Sequence, residues 1–183
     1  MNRPELQTKR LKLRLVELAD LIQIHNLHLL SETDEYNTLG IPENLAETKT
    51  ILETWVFDNQ EKEVKNYTFA MELAINNQFI GLIALKLGNQ KFRTGEVWYK
   101  LHVNHWQQGF GTEALNKMLD FGFVDLKLHR VEAGCAVDNI GSIKVLEKAG
   151  MIREGRKRQV LPLKTGWSDN FIYAITETDN RIR

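Results

Sequence analysis

The alternation of apolar and polar positions is clearest near the start of the chain, where Leu11, Leu13 and Leu15 interleave with Lys12 and Arg14. A period of two puts the leucines on one face of a strand, predicted over residues 8–16. The period then changes. Leu18, Leu21, Ile22 and Ile24 gather on one side of a helix predicted over 17–30, and Leu45, Ile51, Leu52, Trp55 and Val56 on one side of another over 43–63. Residues 31–42 between them are polar, carry Gly40 and read as a loop.

Strand-like runs at 67–75 and 79–87 flank Asn76-Asn77-Gln78, a hairpin signal. A further strand is predicted over 95–103. A helix over 109–126 places Leu115, Met118, Leu119 and Gly122 on one face. A strand at 130–137 precedes a helix at 139–149 that Gly150 closes. Two last strands, 151–161 and 167–176, meet at a turn holding Pro162 and Gly166. The order β-α-α-β-β-β-α-β-α-β-β implies a mixed α/β sheet flanked by helices, with one parallel β-α-β crossover among antiparallel hairpins.

Composition narrows this picture little. The 183 residues are 43% hydrophobic and 26% charged, which suits one domain with a real core over 1–183. Twenty-four basic residues balance twenty-four acidic ones, so no broad field draws the chain to nucleic acid or an anionic membrane. The first eleven residues lack the apolar stretch of a signal peptide, and no run approaches the roughly 20 apolar residues that span a bilayer. A cytoplasmic location is expected. Cys135 is the one cysteine, which excludes an internal disulfide and a multi-thiolate metal site. The five histidines lack zinc-site spacing, and no metal is expected.

The most informative stretch is His105-Trp106-Gln107-Gln108-Gly109-Phe110-Gly111-Thr112-Glu113-Ala114-Leu115, between a strand and a helix. Two glycines allow a tight turn and a close backbone approach. The helix start leaves unpaired N–H groups and the positive end of the dipole. Together these suit a pyrophosphate. A Rossmann loop would need a third glycine, and a Walker loop a Gly-Lys-Ser/Thr, which the chain lacks.

This loop, with Leu-His-Arg-Val-Glu-Ala at 128–133 and the run from Asp138 to Gly155, resembles the GNAT acetyltransferase superfamily, in particular its RimJ/RimL-like branch. Trp106, three residues before Gly109, matches that branch. The resemblance implies a GNAT fold, a parallel β-α-β core that binds acetyl-CoA, and acetyl transfer by direct attack of a primary amine on the thioester. It assigns the CoA pyrophosphate to backbone N–H groups of Gln108, Gly109, Phe110, Gly111 and Thr112, and the pantetheine to the strand end Leu101, His102 and Val103. On this reading a valine at position 111 blocks the phosphates and leaves the fold intact.

By the same resemblance Asn139 bonds the pantetheine, while its residue type also fits a helix N-cap. Ser142 is the expected acid for the leaving thiolate. Lys144 and Lys148, with Arg153, are expected to meet the ribose phosphate, or else to form a solvated face. Glu96 is the expected base. A second glutamate that some Rim-type enzymes use falls at Leu161, so that role is absent here. Residues 31–42, Trp98, Tyr99 and the 161–167 turn are expected to shape the acceptor pocket. Cys135 reads as a small apolar residue.

The expected partners are acetyl-CoA and an amine acceptor, with a homodimer left open and neither nucleic acid nor membrane. A protein N-terminal α-amine is the first acceptor; alternatives are a small amine such as an aminosugar, polyamine or antibiotic, or a non-catalytic acyl-CoA-binding module.

Overall fold

The computed structural model describes residues 4–181. Its strands are β1 (Glu5–Gln7), β2 (Leu11–Leu15), β3 (Asn66–Leu73), β4 (Phe79–Leu87), β5 (Thr94–Leu101), β6 (Arg130–Ala136), β7 (Ile152–Leu163) and β8 (Gly166–Thr176). The helices are α1 (Leu21–Leu29), α2 (Ser31–Asp34), α3 (Leu45–Asp58), α4 (Phe110–Asp120) and α5 (Ile140–Lys148). The strands form one sheet in the order β1-β2-β3-β4-β5-β6-β8-β7, antiparallel except for β5–β6.

Two apolar clusters sit on opposite faces. One joins Leu13, Phe69, Ile83, Leu85, Val97, Val131 and Tyr173 to α4 and α5 through Leu115, Met118 and Leu146. The other joins Ala70 and Leu82 to α1 and α3 through Ile24, Leu27 and Leu52. Between β2 and β3, Arg14 bridges Asp20 at 2.6 Å and Glu72 at 2.7 Å, so the buried carboxylates are paired.

Three predicted elements differ. The strand predicted over 8–16 begins only at Leu11, and an unpredicted β1 precedes it, because Thr8 turns the chain: its Oγ1 accepts from Leu11 N at 2.9 Å and its N–H donates to Leu11 O at 2.9 Å. The loop at 31–42 opens with the short α2, anchored by Thr33 Oγ1 donating to Leu27 O at 2.8 Å. The helix predicted over 109–126 ends at Asp120, and a single π turn, Phe121–Asp125, follows it. Gly122 lies in this turn, where a Cβ would stand 3.3 Å from Leu128 Cδ1.

The feature that positions the site is in the middle of the sheet. The β5–β6 register covers only Thr94, Glu96 and Gly95 against Arg130, Glu132 and Val131, although β5 runs on to Leu101 and β6 to Ala136. Beyond Glu96 the two parallel strands part.

Candidate active site

The alternation along β5 decides what faces the opening. His102 N donates to Ile80 O at 2.8 Å, so residues 98, 100 and 102 direct their main-chain groups at β4. Tyr99 and Leu101 therefore turn theirs toward the opening. A free strand edge suits an extended amide chain such as pantetheine. The expected set shifts accordingly. Leu101 lies on this edge, with its carbonyl accepting from Trp106 Nε1 at 2.7 Å. His102 does not offer its backbone there: its N–H serves β4 and its carbonyl accepts from His105 N at 2.9 Å. Val103 opens a 3-10 turn, and its carbonyl accepts from Trp106 N at 3.1 Å.

At the end of that turn the chain enters the left-handed region twice, at Gln107 (φ 58) and Gly109 (φ 82). Gly109 is the N-cap of α4 and supplies no side-chain cap. The first-turn N–H groups of α4 are left for a ligand, and the helix dipole adds positive potential. Arg10 steadies this loop from outside. Its Nη1 donates to Gln108 O at 2.9 Å, its Nε meets Glu113 Oε2 at 2.6 Å, and its guanidinium lies 4.4 Å from the Phe110 ring centroid.

At Gly111 a Cβ would approach Val145 Cγ2 at 3.3 Å, so this glycine also admits the close approach of α4 to α5, and a valine there would not leave the packing intact as the sequence reading expects.

Across the opening, Asn139 caps α5 by accepting from Ser142 N at 2.9 Å. Its Oδ1 is thereby engaged, while its amide N–H groups are still able to donate to a ligand. Ser142 Oγ is 2.8 Å from Tyr99 Oη. Burial pushes the Tyr99 hydroxyl well above the usual tyrosine value, so it stays protonated. Cys135 is also buried here, and burial pushes its thiol up to about 11, against a lowering hydrogen bond with Ser142. Lys144 and Lys148 are exposed on α5. Arg153 sits over the Phe171 ring, 4.5 Å from its centroid.

Tyr99 thus faces Ser142 and the first apolar cluster, whereas Trp98 faces the other side, 5.6 Å from the Trp55 ring. The expected pairing of Trp98 with Tyr99 in one acceptor pocket fails because neighbours on a strand point to opposite faces. Glu96 is exposed on the paired stretch of β5, opposite Glu132.

The α1–α3 face holds groups the sequence did not single out. Lys100, only 6% exposed, has its Nζ 3.0 Å from Nδ1 of His28, which is 1% exposed. Burial pulls Lys100 down to about 8, with the Asp34 charge acting in the opposite direction. Burial, then the Lys100 charge, brings His28 down to about 4. Asp34 Oδ1 and His28 Nε2 have no hydrogen-bond partner among the described residues. The alternation rule applied to β5 would have grouped Trp98 with Lys100; nothing local in the sequence joins them to His28, Trp55 or Asp34.

A strand opening between a helix tip with unpaired N–H groups and a hydroxyl pair can hold an acyl thioester and protonate its sulfur. Comparison with known proteins points to the same chemistry. A family model described as "Acetyltransferase (GNAT) domain" matches residues 10–152. The probable N-acetyltransferase YjcK of Bacillus subtilis is 34% identical over 128 residues, 68% of this chain and 71% of that one. The spermidine N(1)-acetyltransferase of Vibrio cholerae is 30% identical over 146 residues, 80% of this chain and 81% of that one. In three dimensions, Mycobacterium smegmatis RimJ in complex with CoA-disulfide superposes with a TM-score of 0.84, at 21% identity, over 97% of this chain and 89% of that one, a likeness of fold. The chain belongs to the GNAT acetyltransferase family and is an acetyl-CoA-dependent N-acetyltransferase.

Proposed function

We propose that this enzyme acetylates a protein N-terminal α-amine, in one domain and in the cytoplasm. The observation that carries the reading is where β5 and β6 part: the Tyr99–Ser142 hydroxyl pair lies on one side and Trp98 and Lys100 on the other. The amine approaches from the α1–α3 face and attacks the thioester carbonyl held in the opening. The Ser142 or Tyr99 hydroxyl gives its proton to the departing sulfur. Main-chain groups of Tyr99 and Leu101, the first turn of α4 from Gln108 to Thr112, and Asn139 hold the CoA chain in line, with Lys144 and Lys148 at its ribose phosphate. Positioning of this kind can supply about 7 kcal/mol or more of a transfer barrier.

Proton affinity supports this acceptor class. An α-amine has a reference pKa near 7.7–8.0, and the nearest basic side chain on the acceptor face, Lys100, sits at about 8. Transfer between them is close to even. Taking a proton from an alkyl amine near 10.4 would be uphill by about 3 kcal/mol.

A small polyamine is the second reading. The V. cholerae spermidine relative favours it, as does the acidic stretch Glu32, Asp34 and Glu35 beside the acceptor face. Thiol release from acetyl-CoA, measured with a panel of peptides and small amines, separates the two. Turnover with free α-amine peptides supports the first; turnover with polyamines alone replaces it.

A further inference from the structure

Lys100 of β5 contacts His28 of α1 at 3.0 Å, and Asp34 of α2, the segment that follows α1, lies near enough for its charge to act on Lys100. All three are more than nine-tenths buried, at 6%, 1% and 5% exposure. Burying charged groups is unfavourable unless they are paired and hydrogen-bonded. Here only the Lys100–His28 contact is made, and Asp34 Oδ1 and His28 Nε2 have no partner among the described residues. Such clusters concentrate at functional sites.

Its place fits a substrate. Lys100 lies between Tyr99 and Leu101, whose main chains face the opening, and its side chain is on the face opposite the Ser142 hydroxyl. Trp98, on the same face and 37% exposed, lies beside Trp55, whose ring is 6.1 Å from that of His28. Aromatic faces of this kind suit a cation.

We propose that Asp34, Lys100 and His28 form the subsite for the acceptor ammonium: Asp34 accepts its hydrogen bond, and Lys100 takes the proton it must lose. The inference rests on acetyl transfer as the reaction, not on which amine is the acceptor. The ammonium gives one proton to neutral Lys100 Nζ, and the freed lone pair forms the nitrogen–carbon bond. The carbon–sulfur bond breaks with its electron pair on sulfur, which takes a hydroxyl proton from the Ser142–Tyr99 pair. The second amine proton restores that hydroxyl as the amide forms, and Lys100 releases its proton to solvent. His28, neutral above its lowered pKa, accepts a hydrogen bond from the charged Lys100 and steadies it.

The groups that face Lys100 set the direction of each test. His28 on α1 is uncharged at working pH; Asp34 on α2 is the charge that raises Lys100; β4 contributes Leu82 as its partner, and α3 contributes Trp55 beside His28. The experiment is the pH profile of kcat with the acceptor that turns over best, alongside CoA affinity by calorimetry. Lys100→Met should lower kcat by roughly 10²-fold or more, leave CoA affinity unchanged and abolish the acidic limb near pH 8. Asp34→Asn, which keeps the side-chain shape, should move that limb to lower pH and raise the acceptor KM. A Lys100→Met enzyme that retains its acidic limb overturns the proposal, as does an Asp34→Asn limb that stays in place. If no amine in the panel turns over, it is the reaction assignment that fails, before either variant is made.

Discussion

The two faces of the sheet are built on different principles. On the α4–α5 face the groups proposed to hold the CoA chain are mostly main-chain: N–H groups at the α4 tip and the β5 edge at Tyr99 and Leu101 that β6 does not pair, with Asn139 and the Ser142–Tyr99 hydroxyls beside them. On the α1–α3 face they are side chains, several of them ionisable and buried. A backbone site needs only the right turn and the right glycine. A side-chain site needs distant residues brought together and desolvated, which weakens the fold that holds them. The cofactor face can thus stay fixed while the acceptor face is changed by substitution.

The largest effect that would sharpen this contrast is acid sensitivity on the acceptor face. His28 falls from an ordinary 6.5 to about 4 in the folded chain, so between those pH values the unfolded chain binds the extra proton and stability falls as pH drops. At about 1.36 kcal/mol per pH unit the loss approaches about 3 kcal/mol below pH 4. Urea unfolding from pH 7 to 4 should show His28→Gln losing less stability than wild type by about that amount. Equal slopes would break the contrast.

Next comes Gly111→Val on the cofactor face. Because its Cβ meets Val145, the variant should lose about 1–3 kcal/mol of stability even without CoA, as α4 and α5 are forced apart. Unchanged stability with lost CoA affinity would mean that position 111 faces the phosphates. The smallest effect concerns Glu96. Its exposed place on the paired part of β5 predicts that Glu96→Gln leaves kcat far short of the roughly 10²-fold loss expected for a positioned base. A loss of that size would return the proton-accepting role to Glu96.

Legibility in the sequence follows the same division. The strand and helix order is readable because hydrophobic period separates the elements, and Gly109 with Trp106 marks the candidate phosphate loop within one short run. The packing role of Gly111 is not legible because its neighbour, Val145, lies on another helix. His102 was misread because spacing alone does not say which strand edge is already bonded. Lys100 escaped because a lysine in a strand reads as solvent-facing, whereas β5 is covered on both faces by helices. His28, Asp34 and Trp55 carry no local signal; only the tertiary fold joins them.

On the proposed reading, one opening between β5 and β6 receives the thioester from one face and the amine from the other. A crystal structure with CoA and a non-reactive acceptor analogue would decide this. The diphosphate should lie within about 3 Å of N–H groups at the α4 tip, the pantetheine amides on Tyr99 and Leu101, and the acceptor nitrogen on the Lys100 side. Both ligands on the α4–α5 face, or CoA bound away from the opening, would contradict it.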